Sequence, residues 1–331
     1  MLDRSKTLYL LGGLFFFSLL TLAIGLGSGS TALGPEQLWS ALWMKEGLEH
    51  TLIWEIRLPR SLCAFTVGGL LALAGTLMQV LLRNPLGDPY ILGISGGSAT
   101  ATLLAMLAGL SSAWLTGFAF VGALISMLLV FGIAHGRGAW TPTRLLLTGV
   151  VIAAGWGALI SFILAITPAA RLPGMLFWLM GDLSNADTPG IPLTLLFIGT
   201  VIALWLAPSL NLLSRGELQA AALGVDTGSL RYIIFLLASL LTAAAVTVGG
   251  SIGFIGLVVP HIFRLAGSSD HRLLIPGATL LGGCLLLLAD TLARTLLVPQ
   301  QLPVGVITAL LGVPLFLYLL NRSSSAQEAR G

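Results

Sequence analysis

Long apolar runs, separated by short polar segments, follow one another along almost all of this 331-residue chain. A helix needs about 20 mainly apolar residues to cross roughly 30 Å of hydrocarbon, and the chain has room for about ten such helices. Hydrophobic residues make up 56% of the chain and charged residues only 9%, against about 25% charged residues in soluble domains. The sequence therefore predicts an all-α, polytopic membrane protein with about ten transmembrane helices. The apolar runs are Leu8–Leu26, Leu62–Leu82, Ile91–Leu110, Leu115–Ala134, Leu145–Ile166, Pro192–Leu212, Tyr232–Val248, Ile252–Phe263, Leu273–Leu297 and Val304–Leu320.

The positions of lysine and arginine predict the orientation, because short cytoplasmic loops are enriched in both. Ten spans place both termini on one side. Cytoplasmic termini put 11 of the 16 basic residues inside and leave 5 outside, so both termini are predicted to be cytoplasmic. The inside set is Arg4, Lys6, Arg83, Arg137, Arg144, Arg215, Arg231, Arg264, Arg272, Arg322 and Arg330, and the outside set is Lys45, Arg57, Arg60, Arg171 and Arg294.

Two segments fit a full crossing poorly. The run Ile252–Phe263 is short and has several glycines at and before its start, so it is predicted to be a half-span packed inside the protein. The segment Pro168–Pro189 contains an apolar patch, Met175–Met180, between charged residues. It is predicted to form a short helix near the outer surface.

Several sequence patterns that mark ATP-binding sites, metal sites and disulfide frameworks are missing from the sequence. No G-x-x-x-x-G-K-[ST] loop occurs, so the chain is not expected to bind ATP in that manner, and the energy for any transport must come from elsewhere. The four histidines have no metal-ligand spacing, and Cys63 and Cys284 are too isolated for a disulfide framework. The sequence predicts no cofactor, no metal site and no nucleic-acid partner, since it has no basic cluster.

Three alternatives stay open at this point. Gly93–Gly97 matches the serine-hydrolase pattern G-x-S-x-G, so Ser95 with His261 could form an intramembrane serine protease. Asp290 lies four residues before Arg294 on a predicted helix, where the two can pair. An unpaired Asp290 would instead suit a proton-coupled secondary transporter. A scaffold subunit without its own pathway is the third alternative.

Three long motifs resemble one family of membrane proteins. Arg57–Ala99 reads RLPRSLCAFTVGGLLALAGTLMQVLLRNPLGDPYILGISGGSA, Gly250–Ala278 reads GSIGFIGLVVPHIFRLAGSSDHRLLIPGA, and Leu302–Leu320 reads LPVGVITALLGVPLFLYLL. Together they resemble the permease subunits of bacterial ABC importers for ferric siderophores, haem and cobalamin. The similarity runs from about Trp54 to Leu320 and is weakest at Pro168–Leu210.

The resemblance implies a function and a set of partners. The whole chain, 1–331, would be a single permease domain of the bacterial inner (plasma) membrane that moves an iron chelate or cobalamin by alternating access. It would pair with a second copy or a close paralogue, two cytoplasmic ATP-binding subunits and a periplasmic substrate-binding protein.

The resemblance also assigns roles to residues. Docking of the binding protein falls to Arg57, Arg60 and Arg294. The cytoplasmic gate falls to Asn84, Pro85 and Leu86, with a second constriction at Thr141, Pro142 and Thr143. The resemblance assigns coupling to the ATPase to the loop 214–229. The residues assigned this role in the loop are Glu217, Leu223, Gly224 and Val225.

The residues of that loop support part of this assignment directly. Glu217–Leu223 is predicted to be a short helix that Gly224 ends. Leu223 and Val225 are predicted to be exposed apolar residues that a partner would cover.

Overall fold

The computed structural model describes residues 4–29, 33–43, 47–135, 141–266 and 269–328. The basic residues Lys45, Arg137 and Arg330, which contributed to the predicted orientation, lie outside these ranges. The described residues form helices and turns without a β-strand. The helices are α1 Arg4–Gly27, α2 Pro35–Trp43, α3 Leu48–Thr51, α4 Leu58–Leu81, α5 Ile94–Leu107, α6 Ser112–Ala134, α7 Pro142–Ile166, α8 Leu172–Leu179, α9 Gly190–Arg215, α10 Glu217–Ala222, α11 Thr227–Gly249, α12 Ile255–Ala266, α13 His271–Thr295 and α14 Val304–Glu328.

The prediction of an all-α, multi-pass membrane protein is confirmed. Among the described residues, seven helical stretches are long and apolar enough to cross a membrane, and α3 and α4 form one of them through the π-helical turn Leu52–Arg57. Three shorter apolar helices lie within α5, α12 and α14. These ten segments overlap the ten predicted runs. The number that cross fully, and the side of the termini, stay predictions.

Both segments that fitted a full crossing poorly form short helices. The helix α12 has 12 residues, about 18 Å in length, and begins after Gly250 and Phe254, which both have positive φ angles. Its length agrees with a half-span. The helix α8 has 8 residues and contains most of the Met175–Met180 patch. Its position near the outer surface stays a prediction.

The helix α4 lies at the centre of the fold, because nearly every residue from Arg60 to Leu81 is buried. It contacts α9, α11, α12 and α13. Two glycines allow the closest approaches: a Cβ atom on Gly68 would lie 2.2 Å from the carbonyl oxygen of Gly282, and one on Gly75 would lie 1.9 Å from that of Gly256. Backbone contact through small residues lets membrane helices pack tightly without a hydrophobic driving force between them.

A polar contact holds α12 against α4 beside Gly75. Pro260 has no N–H group, so the carbonyl oxygen of Gly256 lacks its usual donor four residues later in α12. Nε2 of Gln79 donates to this carbonyl at 3.4 Å and to that of Leu257 at 3.2 Å. Arg264 in turn donates to Oε1 of Gln79. Gln79 therefore satisfies the backbone group that Pro260 leaves open and fixes the short helix α12.

Candidate functional site

Two charged clusters lie at opposite ends of the bundle. The first, the Asp290 cluster, contains Arg57, Arg60, Asp290 and Arg294, where α1 ends, α4 begins and α13 ends. The second, the Glu217 cluster, contains Arg83, Glu217 and Arg231, where α4 has ended and α11 begins. The length of α4, about 36 Å for its 24 residues, separates them.

In the Asp290 cluster, one buried carboxylate pairs with two arginines. Asp290 is 0% exposed. Its Oδ1 accepts hydrogen bonds from Nη2 of Arg60 at 2.8 Å and from Nε of Arg60 at 3.1 Å. Its Oδ2 lies 3.1 Å from Nε of Arg294, a contact that meets the distance of an ion pair but not the geometry of a hydrogen bond. The predicted pairing of Asp290 with Arg294 is confirmed, and Arg60 joins it from 230 positions away in the sequence.

Arg57 and Arg294 also cap the end of α1. Nη1 of Arg57 donates to the carbonyl oxygens of Leu26 at 2.7 Å and Gly27 at 3.3 Å. Nη2 of Arg294 donates to that of Gly25 at 3.2 Å. The last carbonyls of a helix lack intrahelical donors and carry partial negative charge, so cations there are favourable. The end of α1 thus offsets part of the excess positive charge of the cluster.

The three arginines predicted to dock the binding protein are therefore buried. Arg57, Arg60 and Arg294 are 4%, 7% and 8% exposed, so little of their surface is open to a partner in the single chain. They are buried because α1, α4 and α13 converge on them and supply their hydrogen-bond partners. Their contact with a partner stays a prediction.

The first predicted gate loop is a tight turn after α4. The side chain of Asn84 accepts a hydrogen bond from the N–H of Leu86 at 2.9 Å, and its carbonyl accepts one from Gly87 at 2.9 Å. Pro85 lies inside this turn, and the side chains of Pro85 and Leu86 are exposed. Arg83, immediately before the turn, has a φ angle of +50°.

The second predicted constriction is the start of α7. Oγ1 of Thr141 accepts a hydrogen bond from the N–H of Arg144 at 3.3 Å and so caps the helix, and Pro142 occupies its first turn. Thr143 is exposed. Thr141 and Pro142 line a narrow cleft with Leu81 and Arg231, which places them beside the last residue of α4 and beside Arg231 of the Glu217 cluster.

The predicted coupling helix is present as α10, and Gly224 follows it with a φ angle of +84°. Leu223 is 66% exposed, as predicted. Val225 is half-buried and packs on the core, so the prediction of its exposure is wrong. Leu218, which the sequence reasoning missed, is 87% exposed.

Glu217, the first residue of α10, accepts hydrogen bonds at Oε2 from Nη2 of Arg83 at 2.9 Å and from Nη2 of Arg231. The sequence reasoning named Glu217 but missed both arginines as its partners. The sequence shows the opposite charges of these residues near predicted helix ends. No rule of sequence spacing predicts contact between residues as far apart as Arg83 and Glu217.

Acidification should weaken this cluster only well below neutral pH. Partial burial acts to raise the pKa of Glu217, but the charges and hydrogen bonds of Arg231 and Arg83 outweigh it and hold that pKa below 4.5. A lowered pKa in the folded state stabilises the fold above the unfolded value, and this contribution is lost as the pH falls through the folded pKa.

We expect protection of the amides at 83, 84, 86 and 87 from hydrogen exchange, corrected for intrinsic rates, to stay constant from neutral pH to about pH 5 and to fall only below that. A loss of protection between neutral pH and pH 5 would contradict the depressed pKa.

Two alternative functions are not favoured by the geometry. Among the described residues, no hydrogen bond connects Ser95 with His261, and Nε2 of His261 is buried without a partner. This is not the arrangement of a serine nucleophile and its base. Asp290 is held in ion pairs with two arginines, so it is not the unpaired carboxylate that would suit a proton-coupled transporter. Cys63 and Cys284 are both free and buried.

A bundle of apolar helices with charged clusters and structured polar loops at its ends defines a multi-pass membrane protein. The family model described as the FecCD transport family matches residues 15–322, and the chain belongs to this family.

Relatives and solved structures are similar over nearly the whole chain. The chain is 40% identical to the vitamin B12 import system permease protein BtuC of Yersinia enterocolitica over 96% of this chain and 94% of that protein. It is 41% identical to the hemin transport system permease protein HmuU of Yersinia pestis over 93% and 94%. A solved inward-facing structure of an ABC transporter assigned to the metal-chelate type has a TM-score of 0.85 and 33% identity, covering 94% of this chain and 98% of that one.

Proposed function

We propose that this chain is the membrane-spanning permease subunit of an ATP-driven importer in the bacterial inner membrane. Its cargo is an iron chelate, such as a ferric siderophore or haem, or cobalamin. The observation that carries the proposal is the similarity of about 40% over nearly the full length to permeases named for vitamin B12 and for hemin. The two similarities are equally strong, so they support the class of cargo. The reconstitution described below identifies the particular cargo within that class.

The proposed mechanism is alternating access. Two copies of the chain, or this chain and a paralogue, line the pathway, and their whole length acts as one permease domain. Two ATP-binding subunits contact the exposed apolar residues of α10, Leu218 and Leu223. Their closure biases the equilibrium between outward-facing and inward-facing states, with the loops at Asn84–Leu86 and Thr141–Thr143 as the cytoplasmic gate. The permease itself carries out no chemistry on the cargo.

The proposed docking site for the substrate-binding protein is the end of the bundle above the Asp290 cluster. The cluster contains three guanidinium groups and one carboxylate, which pairs with Arg60 and Arg294, so it has excess positive charge. The electric field of this excess charge would steer an acidic surface of the binding protein toward this end of the bundle. It would also orient that surface, even where few charged atoms are exposed. Carboxylates of the binding protein at this end would add the opposite charge that the cluster has too little of.

Reconstitution tests the function. We expect the chain, assembled in proteoliposomes with the ATP-binding subunits and binding protein that co-purify with it, to accumulate one of three labelled cargoes: cobalamin, haem or a ferric siderophore. A Lys→Ala change in the phosphate-binding loop of the ATPase should abolish this uptake, because no other energy source is proposed. Uptake that survives this change, or no uptake of any of the three cargoes, would contradict the proposal.

Docking is tested without disturbing the buried arginines. Gln300 is exposed in the loop beside the Asp290 cluster, so Gln300→Cys should cross-link to the binding protein through a short thiol-to-amine reagent. Leu86→Cys, at the opposite end, is the matched control and should not cross-link. Equal cross-linking at both positions, or none at Gln300→Cys, would contradict the docking site.

A further inference from the structure

Glu217 connects three elements that are far apart in the sequence. It begins α10, it bonds Arg83 just beyond the end of α4, and it bonds Arg231 in the first turns of α11. Charge-assisted hydrogen bonds to a carboxylate are short and directional. One oxygen shared by two guanidinium groups therefore fixes the start of α10 relative to both other elements.

Arg83 makes its contact from an unfavourable backbone conformation. Its φ angle of +50° lies in the left-handed region, which glycine adopts at lower cost. The N–H groups of Arg83 and Asn84 close the end of α4 on the carbonyls of Val80 and Gln79. A glycine would end the helix equally well but would carry no guanidinium, so an arginine here indicates that the side chain is needed.

The contact with Arg231 reaches the second predicted constriction. Arg231 is 8% exposed and lines the cleft that also contains Thr141 and Pro142. Leu81, the last residue of α4, lies in the same cleft. The two arginines that bond Glu217 are thus adjacent to the two gate loops, one by sequence and the other in space.

The helix α10 itself is suited to being moved by a partner. It has six residues, and Leu218, next to Glu217, is 87% exposed. An exposed leucine on a short helix gives a partner an apolar contact. Glu217 meanwhile holds the same helix to the gate loops, so a displacement of α10 must either move those loops or break two ion pairs.

We propose that Glu217 is the positioning residue that transmits movement of α10 to both cytoplasmic gate loops, through Arg83 to the first and through Arg231 to the second. This inference rests on the proposed function and adds to it the physical connection between the ATPase contact and the gate. Breaking the connection should leave ATP hydrolysis running and stop it from driving transport.

The first test needs no partner. In the isolated chain in nanodiscs, Glu217→Gln should raise hydrogen exchange of the gate-loop amides at 83, 84, 86 and 87 by about fivefold or more, with only a small decrease in melting temperature, because the pair with Arg83 is partly exposed. The matched control is Arg272→Gln, which removes the charge of an exposed side chain at the start of α13 and should leave these amides unchanged. Unchanged exchange in Glu217→Gln would overturn the connection, and a rise throughout the protein would show a structural role instead.

The second test measures coupling in the assembled transporter. Glu217→Gln should keep ATP hydrolysis near the wild-type rate while cargo uptake per ATP falls about fivefold or more. Arg83→Gln breaks one of the two ion pairs and should have a similar or smaller effect, and the double variant should be no worse than Glu217→Gln alone, because that variant already breaks both ion pairs. Additive losses, or equal losses of hydrolysis and uptake, would overturn the proposal.

The two tests separate the failure of this inference from that of the proposed function. If wild-type uptake is independent of ATP, the proposed function fails, whatever Glu217→Gln does to gate-loop exchange. If wild-type uptake requires ATP but Glu217→Gln transports normally, the function stands and Glu217 is not the connection.

Discussion

Asp290→Asn is expected to lower the free energy of unfolding by about 3–5 kcal/mol, because it leaves buried cations without their counter-charge. Asp290 is fully buried and pairs with Arg60 and Arg294. Asparagine keeps the volume of the side chain, so packing changes little while the charge is lost. The NH₂ group of the amide is a donor, so it would face a guanidinium group where the carboxylate presents an oxygen. Denaturant unfolding in mixed micelles, followed by tryptophan fluorescence, measures the change.

The control for this prediction is Asp187→Asn, the same substitution at an exposed position. It should change the stability by no more than about 0.5 kcal/mol. Arg60→Gln combined with Asp290→Asn should cost less than the sum of the two single variants, since the pair is then removed together. Wild-type stability of Asp290→Asn would show that the cluster does not hold α4 and α13 together.

Gly75→Ala is expected to cost about 3 kcal/mol or more, at the upper end of what added methyl groups cost in packed cores. The new Cβ atom would lie 1.9 Å from the carbonyl oxygen of Gly256, and the neighbour is backbone, which cannot rotate away. α4 and α12 would have to separate, and the contact of Gln79 with Leu257 one turn along α4 would lengthen with them. Unfolding in micelles and hydrogen exchange of α12 measure both effects.

Gly132→Ala is the matched control, because no atom outside the neighbouring backbone of α6 lies within 4 Å of the position of its Cβ. Alanine favours a helix over glycine by about 1 kcal/mol, so this variant should be equal to or more stable than wild type. A Gly75→Ala protein that behaves like Gly132→Ala would show that α12 does not pack on α4 at this distance.

Periodicity and composition predicted the elements of this protein well, because each transmembrane segment must satisfy its own backbone hydrogen bonds. The ten runs overlap the ten apolar helices, and the short length of α12 was visible as a short run rich in glycine. The short helix α10 and its left-handed Gly224 were also predictable, since local signals set helix ends. Local chemistry was therefore sufficient for these features.

The two charged clusters were beyond such reasoning. Arg60 and Asp290 are 230 positions apart, and Arg83 and Glu217 are 134 apart. No local spacing relates such residues. The sequence alone placed Arg57, Arg60 and Arg294 at the ends of spans, and only the tertiary structure shows that converging helices bury them. Val225 was misassigned for the same reason, because the surface it packs on comes from distant parts of the chain.

The sequence by itself thus determined the class of protein, the positions of its apolar helices and the ends of its short ones, since those depend on hydrophobicity and on local hydrogen bonds. The tertiary structure alone decided which charges pair, which arginines are buried and how α10 connects to the gate loops. Those features depend on long-range approach of helices, which the close contacts at Gly68 and Gly75 make possible.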